Sequence, residues 1–116
     1  MVDRLLGMSR TWSSLLLLAV FWSAAAAPGA RTVRILTYNI HHGEGMDGAF
    51  DLPRLARIIE HTGADLVALQ EVDQGTQRAS GVNELTELAR LTRFHPVFGK
   101  AMDFQGGGYG VAVLSR

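Results

Sequence analysis

Asn39 and Glu71 each close a run of apolar, strand-forming residues, Ile35-Leu36-Thr37-Tyr38-Asn39-Ile40 and Leu66-Val67-Ala68-Leu69-Gln70-Glu71-Val72. Ligands of open α/β sheets bind at the carboxyl ends of the strands, so an amide ending one strand and a carboxylate ending the next point to one shared site. A carboxylate fixed on a rigid strand suits a hard cation such as Mg²⁺, which takes oxygen ligands and keeps several waters. An amide beside it can donate to a phosphate oxygen or hold a metal-bound water without adding charge. The plainer alternatives are a solvated glutamate at a strand end and an asparagine used for turn chemistry before a glycine-rich loop.

Other residues offer chemistry with less support. His41 and His42 are adjacent, and strand alternation would send them to opposite faces, which makes them poor joint ligands for one zinc ion. Together with Glu44 and Asp47 they match no helical His-Glu-x-x-His spacing, so His41 reads as a loop residue contacting substrate or solvent. Arg78 lies on the loop after Glu71 and could grip a phosphate bidentately, or simply face water. His61 falls near a helix end and His95 precedes a proline; both read as structural. Gly106-Gly107-Gly108 lacks the strand-before, helix-after context of a phosphate-binding loop and reads as a flexible turn.

The elements that position these residues follow from the pattern around them. Val33 to Ile40 is rich in β-branched and aromatic residues and reads as a strand. His41 to Ala49 holds three glycines and reads as a loop. Asp51 stands as the N-cap of a helix with Pro53 in its first turn, an apolar stripe of Leu55, Ile58, Ile59 and Thr62, and Gly63 as the stop. Asp65 to Gln70 is the next strand, so the three elements make a βαβ unit with parallel strands. Val72 to Val82 reads as a polar surface loop. Asn83 caps a second helix with Leu85, Leu88, Ala89 and Leu91 inward. Phe94 to Lys100 is a third strand, with Pro96 near an edge, and Tyr109 to Ser115 a fourth, hairpin-paired with it across a turn at Phe104 to Gly108. The order is β-α-β-α-β-β, a mixed α/β chain with no internal repeat. Both helices fall on one side of the sheet, yet the strands are almost continuously apolar, as in sheets covered on both faces. Residues 33–116 thus read as an incomplete domain, its open sheet face available for self-association.

Composition sets the outer limits. The 116 residues suffice for one domain, and 47% apolar with 19% charged residues fits a globular protein. Net charge is zero, so nothing marks a dedicated polyanion binder, and the absence of cysteine excludes disulfides and thiolate metal sites. Residues 1–26 carry Arg4 and Arg10, an apolar run from Trp12 to Ser23 and then Ala24 to Ala27, the pattern of a cleaved export signal. This implies a secreted or periplasmic protein, with residues 27–32 as a linker and no stable membrane span after cleavage. The alternative is an anchor left uncleaved, although the run is shorter than the roughly 20 residues that span a bilayer.

Three strings in register resemble the endonuclease/exonuclease/phosphatase superfamily of DNase I-like metal-dependent phosphodiesterases. They are Leu36-Thr37-Tyr38-Asn39-Ile40, Leu69-Gln70-Glu71-Val72 and Tyr109-Gly110-Val111-Ala112-Val113-Leu114-Ser115-Arg116. The resemblance implies the N-terminal half of a four-layer α/β sandwich. It also implies hydrolysis of a phosphate ester, whether nucleic acid, phospholipid head group or sugar/inositol phosphate, by an activated water. Glu71 would be the main ligand of Mg²⁺ (or Mn²⁺ or Ca²⁺) and Asn39 its neighbour at metal and phosphate, with His41 and Arg78 near the substrate. Val111 stands where the family often has asparagine. The family's histidine general base and Asp-x-Asn string have no counterpart in this sequence, which implies no turnover by these residues alone. Two other readings stay open: a non-catalytic half-domain that binds a partner, and an unrelated small α/β domain.

Overall fold

The computed structural model describes Gly29 and residues 31–116; the expected export signal and its cleavage point lie outside the described residues. Four strands form one mixed sheet: β1 (Ile35–Asn39), β2 (Leu66–Gln74), β3 (His95–Phe104) and β4 (Gly107–Ser115), in the order β1-β2-β4-β3. Helix α1 (Leu52–Thr62) connects the parallel pair β1 and β2, as a crossover must, and α2 (Glu84–Thr92) leads from β2 to β3. The pairs β2–β4 and β4–β3 are antiparallel, so β3, with Pro96, is indeed an edge strand.

Both helices start, and α1 also stops, where the sequence places their caps. Asp51 Oδ1 accepts the Arg54 N–H at 2.9 Å, and Asn83 Oδ1 accepts the Thr86 N–H at 3.0 Å. Gly63 ends α1 in the left-handed conformation, with φ 64°. The buried stripe of α1 is Leu52, Leu55, Ala56 and Ile59, one step round from the expected one, so Ile58 is exposed. Leu52 opens the i, i+3, i+4, i+7 series that Ile58 does not join. The stripe of α2 is Leu85, Leu88 and Ala89, as expected, joined by Glu84 and Thr92, while Leu91, expected there too, is only partly buried.

These helices cover one face of the sheet. Val67, Leu69 and Val72 of β2 and Ala112 and Leu114 of β4 meet them in a single apolar cluster. Each fully buried leucine there contributes about 2 kcal/mol. The opposite face carries Ile35, Val97, Val111 and Val113, all exposed.

Several boundaries differ from expectation. β2 runs on to Gln74, so only the stretch from Gly75 to Val82 is loop. β3 extends to Phe104 and β4 begins at Gly107, leaving a turn of only Gln105 and Gly106. Both turn residues have positive φ, 45° and 80°, the pattern of a two-residue type I′ hairpin. The loop after β1 contains a tight turn at His41–Gly43.

Candidate functional site

Glu71 owes its place to a β-bulge. Leu69 pairs with Ala112 and Val72 with Gly110, so β2 holds one residue more than β4 across this step. Strand alternation puts Val67 and Leu69 against the helices and would put Glu71 there too. The extra residue shifts the phase: Val72 takes the core position, and Asp73 turns to the other face beside Tyr109. Glu71, expected to close the strand, lies instead at the bulge within β2, just past the last pair with β1, half-buried, in a left-handed backbone with φ 57°. Such a backbone is unfavourable for a residue with a Cβ.

Asn39, at the end of neighbouring β1, meets it there. Its Nδ2 donates to Glu71 Oε1 at 2.8 Å, and its Oδ1 accepts the His41 N–H at 2.9 Å. A carboxylate on one side and an N–H on the other fix which way the amide points. The His41–Gly43 turn has three successive positive φ values, 47°, 41° and 79°. This departure from extended backbone brings the two histidine rings within 4.5 Å of each other, against the opposite-face arrangement that alternation suggests. His41 Nδ1 lies 3.4 Å from the Glu44 carbonyl oxygen.

Arg78 reaches the same end of the sheet from the loop. Its Nε and Nη2 donate to Asp73 Oδ2 and Oδ1 at 2.7 and 2.9 Å, so the bidentate fork is engaged within the protein. The guanidinium lies 4.7 Å from the Phe104 ring centre and 5.5 Å from that of Tyr109. Main-chain and side-chain bonds from Gln77 and Arg78 to Gln105 latch the loop onto the β3–β4 turn.

Asp73 is fully buried. Burial alone would raise its pKa, but hydrogen bonds from Arg78 and from Thr76 Oγ1, the latter at 2.6 Å, outweigh it and hold the carboxyl below its ordinary value. Asp73 in turn raises the pKa of Arg78. Glu84, at the start of α2, is equally buried, and its Oε2 accepts the Asp73 N–H at 2.8 Å. Desolvation, opposed by that hydrogen bond, pushes its pKa up to about 7.

Two cavities open at this end. One, of about 540 Å³, is lined by Tyr38, Asn39, His41 and Glu44 among others. The other, of about 260 Å³, is bounded by Glu71, Arg78, Met102, Phe104 and Tyr109. The Asn39–Glu71 bond joins a residue lining one to a residue lining the other. The structure therefore gathers Asn39, Glu71 and His41 by direct hydrogen bonds, and Arg78 by a shared cavity with Glu71.

Sequence reasoning missed Asp73 and Glu84. The signal for Asp73 was present: apolar residues at 67, 69 and then 72 mark a break in phase that a loop reading conceals. Glu84 looked like an ordinary acidic residue in a first helical turn.

Among the described residues no three His, Cys, Asp or Glu side chains converge as a metal cage. The donors still fit a magnesium-type ion, which binds through one or two carboxylates together with waters and substrate phosphate. Glu71 Oε1 accepts a bond from Asn39, while Oε2 has no hydrogen bond among the described residues.

A mixed sheet with helices on one face, carrying a strand-end amide bonded to a carboxylate at a bulge of the next strand, defines a DNase I-like α/β layer. The sequence profile of the Endonuclease/Exonuclease/phosphatase family matches residues 36–116, and the chain belongs to that family, whose members are in general hydrolytic enzymes. The fold is similar to an endonuclease/exonuclease/phosphatase from Beutenbergia cavernae, with 25% identity and a TM-score of 0.54 over 72% of this chain and 25% of that one. It is also similar to an endonuclease/exonuclease/phosphatase family protein from Leptotrichia buccalis, with 22% identity and a TM-score of 0.56 over 72% of this chain and 38% of that one. The chain thus spans well under half the length of either. No curated protein matches it.

Proposed function

We propose that this chain supplies the metal- and phosphate-holding portion of a divalent-metal-dependent phosphoester hydrolase. The observation that carries the reading is the 2.8 Å hydrogen bond from Asn39 Nδ2 to Glu71 Oε1. It fixes a carboxylate at the sheet end with its second oxygen available to a cation. Mg²⁺ is the expected ion, with Mn²⁺ or Ca²⁺ as substitutes; when bound, it would stabilise negative charge on phosphoryl oxygen and lower the pKa of a coordinated water.

The chain's own groups divide the remaining work. Asn39 orients Glu71 through Nδ2 and keeps one lone pair of Oδ1 for a water or metal ligand, the other being taken by His41 N–H. Arg78, with Nε and one N–H of Nη2 on Asp73, keeps three donors for a phosphate, two on Nη1 and one on Nη2. Although Asp73 balances its charge, these donors lie on the smaller cavity that Glu71 also lines and suit a phosphoryl oxygen there. His41 lines the larger cavity and contacts the remainder of the substrate. Nucleic acid, phospholipid head groups and sugar or inositol phosphates are the phosphate esters to screen.

Mn²⁺ titration of the wild-type chain and Glu71→Gln tests this. Binding in the first and its loss in the second supports the reading; equal binding by both removes it. Residues 33–116 alone are expected to show no phosphodiesterase turnover, since the sequence holds no Asp-x-Asn string. Residues 1–26 are proposed as an export signal for a secreted or periplasmic protein. Among the described residues no helix is long and apolar enough to cross a membrane.

The exposed Ile35, Val97, Val111 and Val113 favour a second reading, a non-catalytic half-domain that associates through its open sheet face. Size-exclusion chromatography of wild type against Val111→Lys separates the two. Oligomers abolished by the lysine support association, and a monomer in both cases rejects it.

A further inference from the structure

Pairing of β2 with β1 stops at Gln70 and Asn39, so the backbone of Val72–Gln74 has no strand neighbour on that side. Buried backbone donors must find other partners. The segment leading into α2 provides them. Gln74 bridges to Asn83, and the Gly75 N–H donates to the Val82 carbonyl at 2.9 Å. The third partner is a side chain, Glu84, whose Oε2 accepts the Asp73 N–H at 2.8 Å. Glu84 is 0% exposed, and its Oε1 has no hydrogen-bond partner among the described residues. A buried carboxyl with one orphaned oxygen costs stability, and an aliphatic side chain of the same size would fill the space more cheaply. What the carboxyl does that an aliphatic chain cannot is hold the backbone just past the bulge.

We infer that Glu84 is a positioning residue for Glu71, acting through the backbone of Asp73. The inference rests on the reading of Glu71 as a divalent-ion ligand. Asp73 is held twice, its N–H by Glu84 and its carboxylate by Thr76 and Arg78. Two residues earlier, Glu71 occupies the left-handed φ of 57°, a conformation that a residue with a Cβ leaves when its surroundings relax. The bracket at Asp73 keeps the bulge in register, so the Glu71 carboxylate stays beside Asn39 instead of turning in toward the helices. Partners of this indirect kind are worth about ten- to a hundredfold in metal affinity where they have been removed from other sites.

The test measures Mn²⁺ affinity of the full chain by water-proton relaxation, with circular dichroism as the check on folding, in wild type, Glu71→Gln, Glu84→Leu and Glu84→Gln. Glu84→Leu is expected to fold and to bind Mn²⁺ about tenfold more weakly or worse. Glu84→Gln keeps an acceptor for the Asp73 N–H and is expected to retain wild-type affinity within about twofold, a rescue that mere space-filling would not give. A folded Glu84→Leu with wild-type affinity overturns the inference while leaving the metal reading intact. If Glu71→Gln binds as wild type does, the metal reading itself fails. Should Glu84→Leu not fold, Mg²⁺ titration of the wild type followed by ¹H–¹⁵N spectra decides. The Asp73 amide is expected to shift in step with that of Glu71, and an unmoved Asp73 amide overturns the inference.

Discussion

Asn39 and Glu71, 32 residues apart in sequence, are joined, where the pairing of two adjacent parallel strands stops, by a 2.8 Å hydrogen bond from amide to carboxylate. The same amide holds the His41 N–H at 2.9 Å, so one side chain ties the β1–α1 loop to the carboxylate. Asn39→Ala should therefore lower stability by about 1 kcal/mol and weaken Mn²⁺ binding together. Urea denaturation and metal titration of the same variant check the pairing of the two effects; a change in one without the other contradicts it.

The backbone at Glu71 separates stability from function. Glycine reaches a φ of 57° without the Cβ penalty, so Glu71→Gly should be more stable than Glu71→Ala by about 1 kcal/mol. Both lack the carboxylate and both should lose Mn²⁺ binding. Equal urea midpoints for the two would mean that the left-handed backbone at this residue is not kept in solution.

Glu84 makes stability depend on pH in a predictable direction. Burial is the main cause of its raised pKa, with the Asp73 charge adding to it and the Asp73 N–H opposing. The folded chain therefore holds a proton that the unfolded chain releases. The stabilisation is complete below the ordinary value of 4.5 and is lost as pH rises to about 7. Asp73 runs the other way: its contribution is present above 3.8 and disappears as pH falls through its depressed folded value. Urea midpoints should peak near about pH 5 and decline by about pH 8, and Glu84→Gln should flatten the decline. A wild-type midpoint that rises over this interval would contradict the assignment.

Removing the guanidinium partner of Asp73 leaves a buried carboxylate uncompensated. Arg78→Ala should cost about 3 kcal/mol, whereas Arg78→Ala combined with Asp73→Asn should recover part of that loss. A double-mutant cycle by chemical denaturation measures the coupling, and additive losses would place the pair among weak surface contacts.

Gly110 sits on β4 where an added Cβ would run into the carbonyl oxygen of Gly99 across the hairpin. Gly110→Ala should destabilise by about 2 kcal/mol, since backbone rather than a flexible side chain must move. Gly106, with open space around it and φ 80°, should lose about 1 kcal/mol on the same change through conformation alone. Thermal or urea unfolding of the two variants ranks them.

Much of the fold was legible because local signals and packing agree. Asp51, Gly63 and Asn83 cap the helices as their types dictate, and the βαβ order fixes the parallel pair. The Asn39–Glu71 site was legible because both residues end apolar runs. The bulge was hidden because one extra residue leaves composition unchanged and only shifts phase, and a polar stretch after Glu71 resembles loop. Asp73 and Glu84 escaped for a related reason. Their burial comes from the loop and helix that fold back over β2, which local pattern does not encode.

The phase break at Gln70–Glu71 gives this strand something like a reading frame. Deletion of Gln70 would close the bulge and set Glu71 alone opposite Val111, so that Val72 and Asp73 keep their faces while Glu71 is drawn into regular extended strand. Point substitutions near the site are graded in effect, but loss of this one residue removes the geometry of the site and spares the core. The core of this sheet is thus indifferent to the extra residue and the site depends on it, so diversification that keeps the site falls to the Gly75 to Val82 loop or the β3–β4 hairpin.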